Sequence, residues 1–91
     1  MPTRADRIRD TLETRFAPTR LEVVDDSHRH AGHAGARPGG ETHYGVLLVS
    51  PAFAGMTRVA RSRAVHEALA AEFAGGLHAL ALTLRAPEEV A

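Results

Sequence analysis

Apolar residues recur at helical spacing through the first stretch of the chain, where Ala5, Ile8, Leu12 and Phe16 are separated by arginines and carboxylates. Thr3, with Asp6 three residues later, forms a capping-box pattern in which Asp replaces the usual Glu or Gln. Pro18 ends this helix. Leu21 to Asp25 alternates with β-branched residues and reads as a short strand, and Thr42 to Ser50 is the clearest strand of all, bounded by Pro51. Pro51 to Gly55 reads as a turn, after which Thr57 can cap a second helical region. There Val65, Leu69 and Phe73 fall at i, i+4 and i+8, and a break near Arg61-Ser62 would divide the region into a short and a longer helix. Gly75-Gly76 supplies its stop. Leu77 to Arg85 then alternates a leucine face with a small, partly polar face, and the residues after Pro87 are expected to fray.

The predicted order is α-β-β-α-α-β in a single domain over residues 1–91. The first two strands pair antiparallel across a long loop, about residues 26–41, which carries four glycines and no periodicity. Loops of that length in small domains are often functional. The helical region carries the chain back, so the third strand runs parallel to the second through a right-handed crossover. The expectation is an α+β fold: one three-stranded mixed sheet with helices on one face.

Composition narrows the function. Eleven basic residues, all arginine, balance eleven acidic ones, whereas general nucleic-acid binders are usually strongly basic. The absence of cysteine excludes disulfides, thiolate nucleophiles, Cys-ligated zinc and an iron–sulfur cluster held by the chain's own sulfur. With no apolar run near the length of a membrane span and no signal-peptide pattern, a cytoplasmic protein is expected. No nucleophile elbow or phosphate-binding glycine loop is present, which argues against an enzyme.

Histidine is the informative residue. Asp25-Asp26-Ser27-His28-Arg29-His30-Ala31-Gly32-His33 places three imidazoles within six residues, good ligands for zinc, copper, nickel or iron. The plainer alternative is a solvated polar loop. His43 and His78 open the second and third strands, where strand pairing would let histidines from separate segments converge; a lone strand histidine is more commonly structural. His66 has no assigned role. Arg58, Arg61 and Arg63 cluster at the start of the second helical region, where they can hold phosphate or carboxylate, or simply form a solvated helix face. Gly32-His33-Ala34-Gly35 spells the GxxG of KH domains but lies between strands rather than helices.

The segments LEVVDDSHRHAGHAG, GGETHYGVLLVS, Phe53-Ala54-Gly55 with RVARSRAVHEALAAEF, and GLHALALTLRAPEE together resemble the BolA family, from about Leu12 to Glu89. The resemblance implies a fold like a class II KH domain without its GxxG, and no enzymatic activity. It implies a monothiol glutaredoxin as partner and a [2Fe-2S] cluster shared with that partner and glutathione, in cluster trafficking or in iron or redox sensing. The partner's cysteine and the glutathione thiolate face histidine ligands from this chain, His78 of the HAL motif and a residue of the long loop. Counting from the first strand favours His30, and counting back from Glu41-Thr42-His43 favours His33. Histidine ligation on one side has the Rieske centre as precedent. Some members of the family are described as DNA-binding regulators that use the second helical region, which makes transcription regulation through Arg58, Arg61 and Arg63 the alternative function. The family's common R-H-R reads Arg61-Ser62-Arg63 here. A third reading is a free-standing metal loop built from His28, His30 and His33. Weak DNA binding and no membrane association complete the expectations.

Overall fold

The computed structural model describes residues 2–26 and 42–90. Expectations resting on His28, His30 and His33 lie outside the described residues. Helix α1 spans Arg4–Phe16, β1 Arg20–Asp25, β2 His43–Val49, α2 Arg58–Ala68, α3 Ala70–Ala74 and β3 Ala79–Arg85. Short 3-10 turns follow β2 at Pro51–Phe53 and β3 at Pro87–Glu89.

The Thr3–Asp6 pattern forms the capping box it spells: Asp6 N–H donates to Thr3 Oγ1 at 3.2 Å, and Thr3 N–H donates to Asp6 Oδ2 at 3.0 Å. Ala17 ends α1 in the left-handed region with φ 43°, just ahead of Pro18. Thr57 Oγ1 accepts from Ala60 N–H and starts α2. The break in the second helical region falls at Leu69, not near Arg61-Ser62, which are well inside α2. Leu69 leaves helical geometry at φ −101° and ψ 16°, yet its N–H still reaches Val65 O and its carbonyl accepts from Glu72 and Phe73. The axis therefore turns at a fully buried leucine without glycine or proline.

The sheet has the order β1-β2-β3. β1 and β2 are antiparallel with Val23 opposite Val46, and β2 and β3 are parallel with Val46 opposite Leu82. Leu21 and Val23, then Tyr44, Val46 and Leu48, then Leu80, Leu82 and Leu84 share the face that meets Ile8, Leu12, Phe53, Val65 and Leu69. Ile8, Leu12 and Leu48 are completely enclosed there, each burial being worth roughly 1.5–3 kcal/mol.

The opposite face carries Glu22, Val24, Gly45, Leu47, Ala81 and Thr83 and is half-open or exposed. Gly45 lets the Asp26 side chain approach closely: a Cβ there would lie 3.0 Å from Asp26 Oδ2, which would have to shift to admit it. The expected α+β architecture, α-β-β-α-α-β with a mixed three-stranded sheet, is the one observed.

The chain after Pro87 is ordered rather than frayed. Its 3-10 turn brings Glu89 back to Ala86 N–H at 2.6 Å and to the Arg61 guanidinium.

Candidate functional site

The parallel register of β2 and β3 sets His43 opposite Ala79, so the residue before β3, His78, arrives beside the first residue of β2. Thr42 fixes this junction. Its carbonyl accepts from His78 N–H at 2.8 Å and from Ala79 N–H at 3.1 Å. Its hydroxyl is 2.9 Å from His43 Nδ1. Thr42 is wholly buried and His43 is 8% exposed, whereas His78 is open to solvent. The two rings lie 5.2 Å apart, centroid to centroid, and are tilted by 55°. Asp26 N–H donates to His43 O at 2.8 Å, so the chain segment carrying His28, His30 and His33 leaves and re-enters the described structure at this same corner.

This arrangement realises the convergence expected of the strand histidines, with a division of labour the spacing did not reveal. His43 is the inner ring, held by Thr42, and His78 is the outer one. Thr42 had no place among the sequence candidates. A threonine before a strand histidine gives no signal, because its role depends on which strand lies alongside. Among the described residues, no three His, Cys, Asp or Glu side chains converge to hold a metal ion. An exposed imidazole in a cysteine-free chain is suited to add one ligand to a centre whose sulfur comes from elsewhere.

The arginine cluster does not present itself as a unit. Arg58 and Arg63 are exposed, but Arg61 is 6% exposed and turned inward. Its Nε donates to Met56 O at 3.1 Å, and its Nη1 donates to Leu84 O at 3.2 Å and Glu89 Oε1 at 2.6 Å. The guanidinium also lies 5.8 Å from the centroid of the Phe53 ring. Arg61 therefore corrects the expectation of a three-arginine docking face: it ties α2 to the end of β3, and its charge is spent on three internal acceptors. The hydrogen bond from Arg61 and a second one from Ala86 N–H hold the Glu89 carboxyl below its ordinary range.

His66 stacks on Phe73 with centroids 5.3 Å apart and its Nδ1 2.8 Å from Ser62 O, a local helix contact. Among the described residues, no helix is long and apolar enough to cross a membrane.

The sequence pattern of the family described as BolA-like protein matches residues 12–89. An uncharacterized protein encoded in the cobS 5′ region of a Sinorhizobium species is 49% identical over 85 residues, covering 92% of this chain and 91% of that protein. SufE-like protein 1 of Arabidopsis thaliana, chloroplastic/mitochondrial, is 44% identical over 92 residues, covering 97% of this chain but only 25% of its own length. The solved BolA domain of SufE1 from the same plant superposes with a TM-score of 0.88 at 42% identity, covering 98% of both chains.

Proposed function

The chain belongs to the BolA-like family, and from that membership we propose that it is a non-enzymatic partner of a monothiol glutaredoxin, receiving a [2Fe-2S] cluster between the two proteins. In this reading His78 supplies an imidazole ligand, one histidine of the 27–41 segment, His30 or His33, supplies a second, and the partner's cysteine and a bound glutathione supply the thiolates. The observation that carries the proposal is the His43–His78 corner. It leaves one imidazole exposed, anchors its backbone through Thr42, and lies where the histidine-bearing segment begins and ends.

The residues fit the shared centre. His78 is accessible from outside, and a buried His43 behind it limits the directions its ring can take. Lacking thiols, the chain leaves the sulfur ligands to its partner. The proposed compartment is the cytoplasm, where the partner's thiol stays reduced, and the proposed role is cluster trafficking or iron and redox sensing. DNA binding has less support. Arg61 is unavailable, the chain is neutral, and Arg58 with Arg63 would neutralise few phosphates.

The test is anaerobic reconstitution of the cluster on a monothiol glutaredoxin with glutathione, with and without this chain. A mixed dimer should form with a visible circular dichroism spectrum distinct from that of the glutaredoxin alone. His78→Ala should fold normally and lose the distinct spectrum. If the chain leaves the glutaredoxin's spectrum and oligomeric state unchanged, the proposal is wrong.

A further inference from the structure

Along the outer side of β3 the fold leaves a binding edge. β3 pairs with β2 alone, so its second side is a sheet edge. Ala79 N–H donates to Thr42 O and Arg85 O accepts from Ser50 N–H, which assigns the backbone groups of Ala79, Ala81, Thr83 and Arg85 to β2. The N–H and C=O groups of Leu80, Leu82 and Leu84 therefore point to the edge. Leu84 O is capped there by Arg61 Nη1 and by Arg85 Nη1 at 2.9 Å. Nothing comparable covers Leu80 or Leu82 among the described residues.

A groove runs along this edge beneath the first turns of α2, lined by Arg58, Arg61, Ser62, Leu82, Leu84 and Arg85. Arg61 is neutralised by Glu89. Arg58 makes no hydrogen bond or ion pair among the described residues, and Arg85 bonds only its neighbour's carbonyl. The groove thus combines two leucines, alternating main-chain donors and acceptors, and two cations. Of these, Arg58 meets no carboxylate among the described residues, and Arg85 lies within electrostatic reach of Glu89.

We infer that this edge receives an extended, acidic peptide segment of a partner protein as a fourth strand. Its main chain pairs with Leu80 and Leu82, its carboxylates meet Arg58 and Arg85, and the capped Leu84 carbonyl ends the pairing. A peptide matches the surface better than a nucleic acid. Its own alternating N–H and C=O groups satisfy the edge, whereas a phosphate backbone carries no N–H groups to meet the outward Leu80 and Leu82 carbonyls. Leu80 and Leu82 are two and four residues beyond His78, about 7 and 13 Å along a strand. The inference uses no ligand role for the histidine corner, and its probe is read without a partner bound there.

The probe is a blocked octapeptide of alternating aspartate and valine, titrated into the isotope-labelled full chain at about 150 mM salt. Amide shifts should concentrate at Leu80–Leu84 and Arg58–Ser62. Arg58→Glu with Arg85→Glu should weaken binding by about tenfold or more. Because reversal of Arg85 beside Leu84 and Glu89 can disturb the fold, a second arm uses the unaltered protein and a peptide N-methylated at alternate residues, which keeps its charges but loses its ladder donors. That peptide should bind at least tenfold more weakly. Equal binding by the N-methylated peptide, or by a peptide with lysine replacing aspartate, overturns the inference. So does single-stranded DNA that shifts the same amides and displaces the peptide.

Discussion

Thr42 and His78 meet through one backbone hydrogen bond of 2.8 Å, and the same threonine holds the ring that His78 leans on. One residue thereby governs both the position of the exposed histidine's backbone and the surface behind its side chain. This coupling exists because β2 and β3 run parallel and start level. An antiparallel third strand would have placed His78 at the far end of the sheet.

Thr42→Val keeps the shape of the side chain and the carbonyl, and removes only the hydroxyl. With His43 Nδ1 left without that partner in a buried site, stability should fall by about 1–2 kcal/mol in urea unfolding. The nuclear magnetic resonance signals of the His78 ring should broaden or multiply as its backing loosens. An unaltered His78 spectrum would show that His43 is not held by the threonine.

Arg61 and Arg63 should part company on substitution. Arg61→Met strips Met56 O of its donor and removes the cation from the Phe53 ring, and should cost about 2–4 kcal/mol. Arg63→Ala touches nothing internal and should stay within about 0.5 kcal/mol of the parent. Equilibrium denaturation of both variants checks the pair. Similar stabilities would return Arg61 to the surface role its sequence neighbours suggest.

The acid limb of stability is tied to Glu72. Hydrogen bonds from Arg7 foremost, and then from Arg4, hold its carboxyl below the ordinary 4.5, outweighing the upward pull of burial. A depressed folded value means the stabilisation is complete above about pH 4.5 and drains away as pH falls through that lower value. Glu72→Gln should therefore be less stable than the parent at neutral pH and should lose less on acidification. Urea midpoints followed from neutral into acid solution check this, and parallel curves for the two proteins would sever the link. Asp6 and Glu89 are shifted in the same direction, so part of the slope should remain.

Much of this architecture is legible in the residue pattern because local and long-range preferences agree. Thr3 with Asp6, Pro18, Thr57 and Gly75-Gly76 punctuate the chain at the places where the helices start and stop. Leu80, Leu82 and Leu84 alternate as the buried face of β3 must. The bend at Leu69 escaped because an alanine-rich helix turning on a leucine carries no punctuating residue. Arg61 escaped for a different reason: its burial depends on Glu89, which the chain brings back only after the final strand. His43 and His78 were legible as candidates, but which ring is inner and which outer depends on strand register, a property of two segments jointly.

The clasp of α1 has a consequence for synthesis. Arg4 and Arg7 bond Glu72, 68 and 65 residues later, and Arg4 also bonds Gly75 O. On a ribosome adding ~5–20 residues per second, the first helix waits roughly 3–13 s for its counterpart. Ile8 and Leu12 spend that interval without the finished core that later encloses them. Helix α1 is thus fastened only once Glu72 has been made, and a nascent chain stalled before that residue would present the uncovered Ile8–Leu12 stripe of α1 to the chaperones around it.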